Sequence, residues 1–158
     1  MVVMTPKSLL RLPEASSQIA DLTSGGFKPV LNDDSVSDKK KVKRVVLCAG
    51  KVFYDLDAKR RESGTDATAI IRLEQFYPFP QSALKSAIDS YPAGTEIVWV
   101  QEEPKNMGAW GFLSPRIADL LNGRSVRYIG RAASASPATG SYAIHNLEQA
   151  KIIAEAIV

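Results

Sequence analysis

Arg44-Val45-Val46-Leu47-Cys48-Ala49-Gly50 is the stretch from which the rest of the chain is read. An unbroken apolar run stops at a glycine, with no polar residue interrupting it. Such a run suits a strand buried on both faces of a sheet. Residues 51–61 then place Val52, Phe53 and Leu56 on one side of a predicted helix, ended by Ser63-Gly64-Thr65. The same unit recurs downstream. Residues 68–73 predict a second strand, and Tyr77-Pro78-Phe79-Pro80 a turn. A helix over 81–91 sets Leu84, Ala87, Ile88 and Tyr91 at i, i+3, i+4 and i+7. A third strand covers 96–101, and a loop carries Glu102 to Gly108. The next helix turns Trp110, Leu113, Ile117, Leu120 and Leu121 inward, and Asn122-Gly123 closes it. Residues 125–130 predict a fourth strand and 131–142 a loop. A last amphipathic helix over 145–157 has Leu147, Ile153 and Ile157 as core positions. Strand and helix alternate four times. That pattern predicts an α/β fold with an open, doubly wound, mostly parallel sheet.

Upstream the chain is less regular. Val2-Val3-Met4 reads as a short strand, and Thr5-Pro6 before Lys7 to Arg11 as a cap and one or two helical turns. Residues 14–22 predict a short helix, broken by Ser24-Gly25-Gly26. Lys28-Pro29-Val30-Leu31 predicts an edge strand, and residues 32–38 a polar loop. The expected division is a tail plus linker over 1–41 and the α/β domain over 42–158. Lys39-Lys40-Lys41-Val42-Lys43-Arg44 is the densest charge run. With no interleaved aromatic it reads as a solvated lead-in to the strand.

Composition narrows the function classes. The chain has 158 residues, 45% hydrophobic and 23% charged, which suits one globular domain with a real core. No apolar run approaches the ~20 residues of a membrane span. A net charge of +3 is too mild to indicate a nucleic-acid partner. Cys48 is the single cysteine, so no internal disulfide forms and a reducing compartment is expected. The first seven residues lack the layout of a signal peptide.

In an open parallel sheet, ligands bind beyond the carboxyl ends of the strands. Gly50-Lys51 and Gly130-Arg131 each pair a glycine with a cation there, which suits an anion, although neither is a dinucleotide or P-loop motif. Glu102-Glu103 are adjacent carboxylates, yet neighbours in sequence seldom converge on one substrate atom. His145, the only histidine, reads as a helix-start residue before a general base. Cys48 reads as a buried small hydrophobe rather than a nucleophile. One cysteine and one histidine make no zinc cluster. Composition and spacing assemble no active site.

Several longer blocks carry a resemblance. Thr5 to Arg11, Leu47 to Leu56, Arg72 to Pro80, Trp99 to Trp110, Gly130 to Gly140 and His145 to Gln149 occur in order. Together they resemble the C-terminal domain of the first component of 2-oxoglutarate dehydrogenase. The likeness is weakest from about Ala15 to Lys43. It implies the fold of the transketolase C-terminal domain. It implies a part in thiamine-diphosphate-dependent oxidative decarboxylation of 2-oxoglutarate in the citric acid cycle. It also implies Mg²⁺, a homodimer, and a lipoyl-bearing second component as partner. Bacterial cytoplasm is the expected location, with the mitochondrial matrix as alternative. The sequence has no Gly-Asp-Gly motif for Mg²⁺ and diphosphate and no histidine-rich loop, so no catalytic, cofactor or metal residue is carried over. Residues 1–11 resemble the last strand and exit helix of a preceding domain.

Some actinobacterial relatives bind acetyl-CoA as an activator at this domain. By that resemblance, Lys51, Gln101, Lys105 and Arg131 are the residues expected to meet an acyl-CoA or nucleotide. The first expectation is therefore a terminal domain, either a fragment or a split-gene product, inactive alone. The alternative is a free-standing CoA- or nucleotide-sensing module that docks on a full-length relative. An unrelated small enzyme built on Glu102, Glu103 or His145 would instead turn over substrate by itself.

Overall fold

The structure, a computed structural model, describes residues 1–158. A five-stranded sheet has the order β1-β3-β2-β4-β5. Its strands are β1 (Val30–Leu31), β2 (Arg44–Cys48), β3 (Thr68–Leu73), β4 (Glu96–Pro104) and β5 (Arg127–Arg131). Strands β3, β2, β4 and β5 run parallel, and β1 adds an antiparallel edge to β3. Helices α2 (Val52–Ser63), α3 (Gln81–Asp89), α4 (Trp110–Leu120) and α5 (Tyr142–Ala156) connect or cover the strands, after a short α1 (Ile19–Thr23).

The unbroken apolar runs have the cause expected of them. Side chains alternate across a strand, so a strand with helices on both faces needs apolar residues at every position. Val45, Leu47, Ala69, Ile71, Ile97 and Trp99 pack with α3 and α4. Val46, Cys48, Ile70, Val98, Val100 and Ile129 pack with α2 and α5. The open, doubly wound, mostly parallel sheet read from the alternation is the one observed, and it agrees with the transketolase C-terminal-like fold that the resemblance implies. Burial pushes the Cys48 thiol up to about 12 against a small opposing pull from Arg72, so the residue is an inert hydrophobe.

Four local expectations change. Val2-Val3-Met4 is not a strand, because it has no pairing partner and stays exposed. The helix expected over 14–22 divides into a 3-10 turn at Pro13–Ala15 and α1. Ser16 is extended, and α1 starts afresh at Gln18 with an Asp21 side chain accepting the Gln18 amide at 3.1 Å. Strand β4 runs on to Pro104, through what reads as a loop, because the Lys105 amide bonds Arg131 O at 3.1 Å beyond a register shift. Leu147 is 73% exposed; α5 buries Gln149, Ile152 and Ala156 instead. The segment expected as a tail plus linker is itself attached to the sheet. β1 pairs with β3, and the buried Asp33 joins Arg60 of α2 and accepts the Ile70 amide at 2.8 Å.

At the opposite end of the sheet, Arg44 and Arg127 both hold Glu96, at 2.7 and 2.8 Å. Partial burial pushes the Glu96 carboxyl up, but these two cations outweigh it and hold it below the usual carboxylate range. Lys39 to Lys41 form a single 3-10 turn capped by Asp38; Lys40, Lys41 and Lys43 are exposed, as expected of a solvated lead-in, while Val42 is buried, Arg44 is half-buried and Lys39 donates to Ser90 at 3.1 Å.

Candidate functional site

The chain leaves β2 through α2 to β3, then returns through α3 to β4 on the other side of β2. The α2 and α3 connections cover opposite faces. The carboxyl ends of β2 and β4 therefore form the switch point, where open α/β sheets leave a crevice. A cleft of about 700 Å³ lies there. Ala49 and Gly50 line it from β2, and Leu73, Glu74, Phe76 and Tyr77 from the end of β3. Trp99, Gln101 and Glu103 line it from β4, and Gly108, Ala109 and Phe112 from the approach to α4.

Gln101 builds one wall. It is 3% exposed, and its amide is fully used. Its Oε1 accepts from the Trp99 indole at 2.9 Å and from the Trp110 amide at 3.1 Å. Its Nε2 lies 2.8 Å from Met107 O, 3.2 Å from Pro104 O and 3.3 Å from Glu103 O. The loop from Lys105 to Ala109 thus wraps one side chain. Gly108 sits where this wrapping is tightest. Its φ is +65°, and a Cβ there would meet Gln101 Nε2 and Glu103 Cβ at 3.0 Å.

Tyr128 braces the same loop from outside, its hydroxyl donating to Arg131 O at 2.9 Å with Glu103 O at 3.1 Å. Gly130 makes room for that ring. A Cβ there would press on the Tyr128 hydroxyl and lie 2.8 Å from Gln101 O. Gly130→Ala is expected to destabilise the chain by about 1–3 kcal/mol, the usual cost of overpacking. A thermal melt checks it; an unchanged midpoint would mean that β5 shifts freely.

The four residues expected to meet an acyl-CoA or nucleotide do not form one site. Gln101 and Lys105 lie on the Tyr128 side, with Lys105 Nζ 5.5 Å from the centre of the Tyr128 ring. Lys51 and Arg131 lie on the other face, in a network with α5. Lys51 Nζ is 3.0 Å from both Asp55 and Glu102. Partial burial would lower the Lys51 pKa, but those two carboxylates outweigh it and hold the ammonium above its usual value. Arg131 Nε donates to Glu148 at 2.8 Å, and its Nη1 to Glu102 O. Its Nη2 reaches Gln149 Oε1 at 3.3 Å and His145 Nδ1 at 3.2 Å, the ring nitrogen accepting. Both cations are therefore already neutralised by the chain's own carboxylates.

Glu102 and Glu103, adjacent in sequence, part company here. Glu102 bridges Lys51 and Gln149, while Glu103 lines the cleft. Gln149 is the residue that sequence reading missed. It is 9% exposed and donates to Asp55 at 3.0 Å and Glu102 at 2.8 Å. Its only sequence signal is its place one turn before Ile152 and two before Ala156. No three His, Cys, Asp or Glu side chains come together to hold a metal ion.

The sequence from 16 to 157 matches the family model described as 2-oxoglutarate dehydrogenase C-terminal. The chain belongs to the 2-oxoglutarate dehydrogenase C-terminal family. Among its relatives is the 2-oxoglutarate dehydrogenase E1 component of Cupriavidus necator, 50% identical over 157 residues. Those residues are 99% of this chain but 16% of that relative. The E1 components of an Exiguobacterium species and of Bacillus subtilis are 45% and 44% identical, over 99% of this chain and 17% of each relative. The chain thus spans about a sixth of the length of the curated relatives it matches. No helix is long and apolar enough to cross a membrane.

Proposed function

We propose that the chain serves as the C-terminal structural domain of a 2-oxoglutarate dehydrogenase first component. One observation carries the reading: half of its residues are identical to the end of a protein of that name, across 99% of this chain. In this reading residues 1–41 carry the connection to the preceding part of the enzyme and 42–158 form the domain, with β1 and Asp33 pinning the connection to the sheet. The oxidative decarboxylation of 2-oxoglutarate belongs to the assembled enzyme. Thiamine diphosphate and Mg²⁺, which supply carbanion stabilisation and diphosphate anchoring, are assigned to its other domains. No step of that chemistry is assigned to this chain. The partners of this reading are those other domains, a second copy of the enzyme and a lipoyl-bearing second component, in a bacterial cytoplasm. An acyl-CoA or nucleotide that acts through Lys51 or Arg131 must first displace Glu102 or Glu148.

The test is complementation. The Cupriavidus necator relative, lacking the region that this chain matches, is assayed with 2-oxoglutarate, thiamine diphosphate, Mg²⁺ and an artificial electron acceptor. It is assayed alone and with this chain added; the chain is also assayed alone. The expected result is turnover only in the mixture. Turnover by the isolated chain would sink the reading and return attention to Glu102, Glu103 and His145.

A further inference from the structure

The switch-point cleft has a chemical character that runs against the chain's overall charge. The chain is net +3, yet the only charged residues lining the cleft are Glu74 and Glu103. Both are exposed, and neither carboxylate accepts a hydrogen bond within the chain. Glu74 has one distant cation, Arg72 at 3.8 Å, and Glu103 has none. Lys51, next to Gly50, is held away by Asp55 and Glu102. The rest of the lining is largely apolar and aromatic. Trp99 is 1% exposed, Phe76 packs edge-on against it at 6.4 Å, and Tyr77 is 83% exposed. No cationic side chain lines the cleft.

We propose that this cleft is a docking site for a protein segment that presents one arginine flanked by apolar residues. A guanidinium answers both features of the lining. It is planar, pairs with carboxylates through several donors, and stacks on aromatic faces, while its weak hydration lowers the cost of leaving water. A lysine ammonium lacks the plane and gives up more hydration. The flanking apolar residues cover the aromatic and aliphatic wall. The chain already uses this pairing twice within itself: the Arg72 guanidinium lies 4.2 Å from the Phe53 ring centre, and that of Arg116 lies 3.7 Å from Phe112. The inference stands on the cleft alone and does not depend on which enzyme the chain serves.

The test uses the whole chain, labelled with ¹⁵N, and three capped tripeptides: Leu-Arg-Leu, Leu-citrulline-Leu and Leu-Glu-Leu. Citrulline keeps the shape of arginine and removes its charge. The expected result is a saturable shift of the Gly50, Gly108 and Ala109 amides and the Trp99 indole with the arginine peptide. The citrulline peptide is expected to bind about tenfold more weakly, on the scale of two partly exposed ion pairs. E74Q/E103Q is expected to bring the arginine peptide down to the citrulline level, with the rest of the spectrum unchanged. Equal affinity for arginine and citrulline, or no saturable shift by about 10 mM peptide, overturns the proposal. The chain's own Leu10-Arg11-Leu12 has the proposed pattern, with Leu10 and Arg11 exposed. Sedimentation equilibrium therefore accompanies the titration. A concentration-dependent dimer abolished by R11Q and by E74Q/E103Q would replace the separate partner with a second copy of this chain.

Discussion

Replacing Asp33 with alanine is expected to cost about 3 kcal/mol, near the lower end of the range for breaking a buried ion pair from one side. Asp33 and Arg60 are 7% and 8% exposed and directly paired. The same carboxylate accepts the Ile70 amide at 2.8 Å, the Ser35 amide at 3.1 Å and the Ser35 hydroxyl at 2.6 Å. Alanine leaves the buried Ile70 amide unmatched and strips one charge from around a buried guanidinium. The loss stops short of the full range because Arg60 keeps Asp57 at 2.7 Å. Urea denaturation measures it. Adding Arg60→Met should recover part of the loss, because removing both charges costs less than stranding one. A single variant within about 0.5 kcal/mol of the parent, the range of ordinary surface changes, would mean that Arg60 swings into solvent. The polar loop before β2 would then be held by β1, by Val36 on the core and by the Asn32 bonds to Ser90 and Tyr91.

That loop also shows where sequence reading stops. Residues 68–73 were legible to the residue, because a strand buried on both faces must be apolar at both parities. The α3 stripe was legible because Leu84, Ala87, Ile88 and Tyr91 repeat at helical spacing and all four are buried. Asp33 looked like one polar loop residue among several. Its partners lie 27 and 37 positions away, and no local pattern announces them. The extension of β4 was hidden for the same reason. Glu102-Glu103-Pro104 is polar and ends in a proline, and what keeps it extended is a bond from Lys105 to β5. Leu147 misled because apolarity alone was taken to mark the buried face. Arg131, at the end of β5, bonds His145, Glu148 and Gln149, which holds that side of α5 to the sheet and leaves Leu147 in solvent.

The strand-end cations were legible and their partners were not, for a related reason. Lys51 and Arg131 were found from their place after strand-end glycines, and both stand at the carboxyl edge. Their carboxylates were not, because Glu102 and Glu148 reach them only through the fold. A cation after a strand reads as an anion site until its internal partner is known. Gln101 shows the converse. A polar residue at a strand end was expected, by the resemblance, to meet a ligand, yet its amide is spent on holding a loop.

Gln101→Ala is accordingly expected to act on stability and on the cleft together. The Trp99 indole N–H would lose its acceptor in a 1%-exposed setting, and the Trp110 amide would lose one as well. Each buried group left unmatched costs about 1–3 kcal/mol, and the loop carbonyls lose their common donor too. A total of about 3–4 kcal/mol is expected, because water entering the vacated space satisfies part of the loss. Gln101→Glu separates the two halves of the role. Its carboxylate can still accept from Trp99 and Trp110, but it presents negative charge to three carbonyl oxygens that need a donor. It should therefore destabilise at neutral pH and recover as the pH falls and the carboxyl protonates. Hydrogen exchange distinguishes a local effect from a global one. In Gln101→Ala, the amides from Lys105 to Ala109 should lose protection before those of β2 and β3. If all of them open together, the side chain braces the whole sheet, and the cleft wall has no independent motion for a ligand to select.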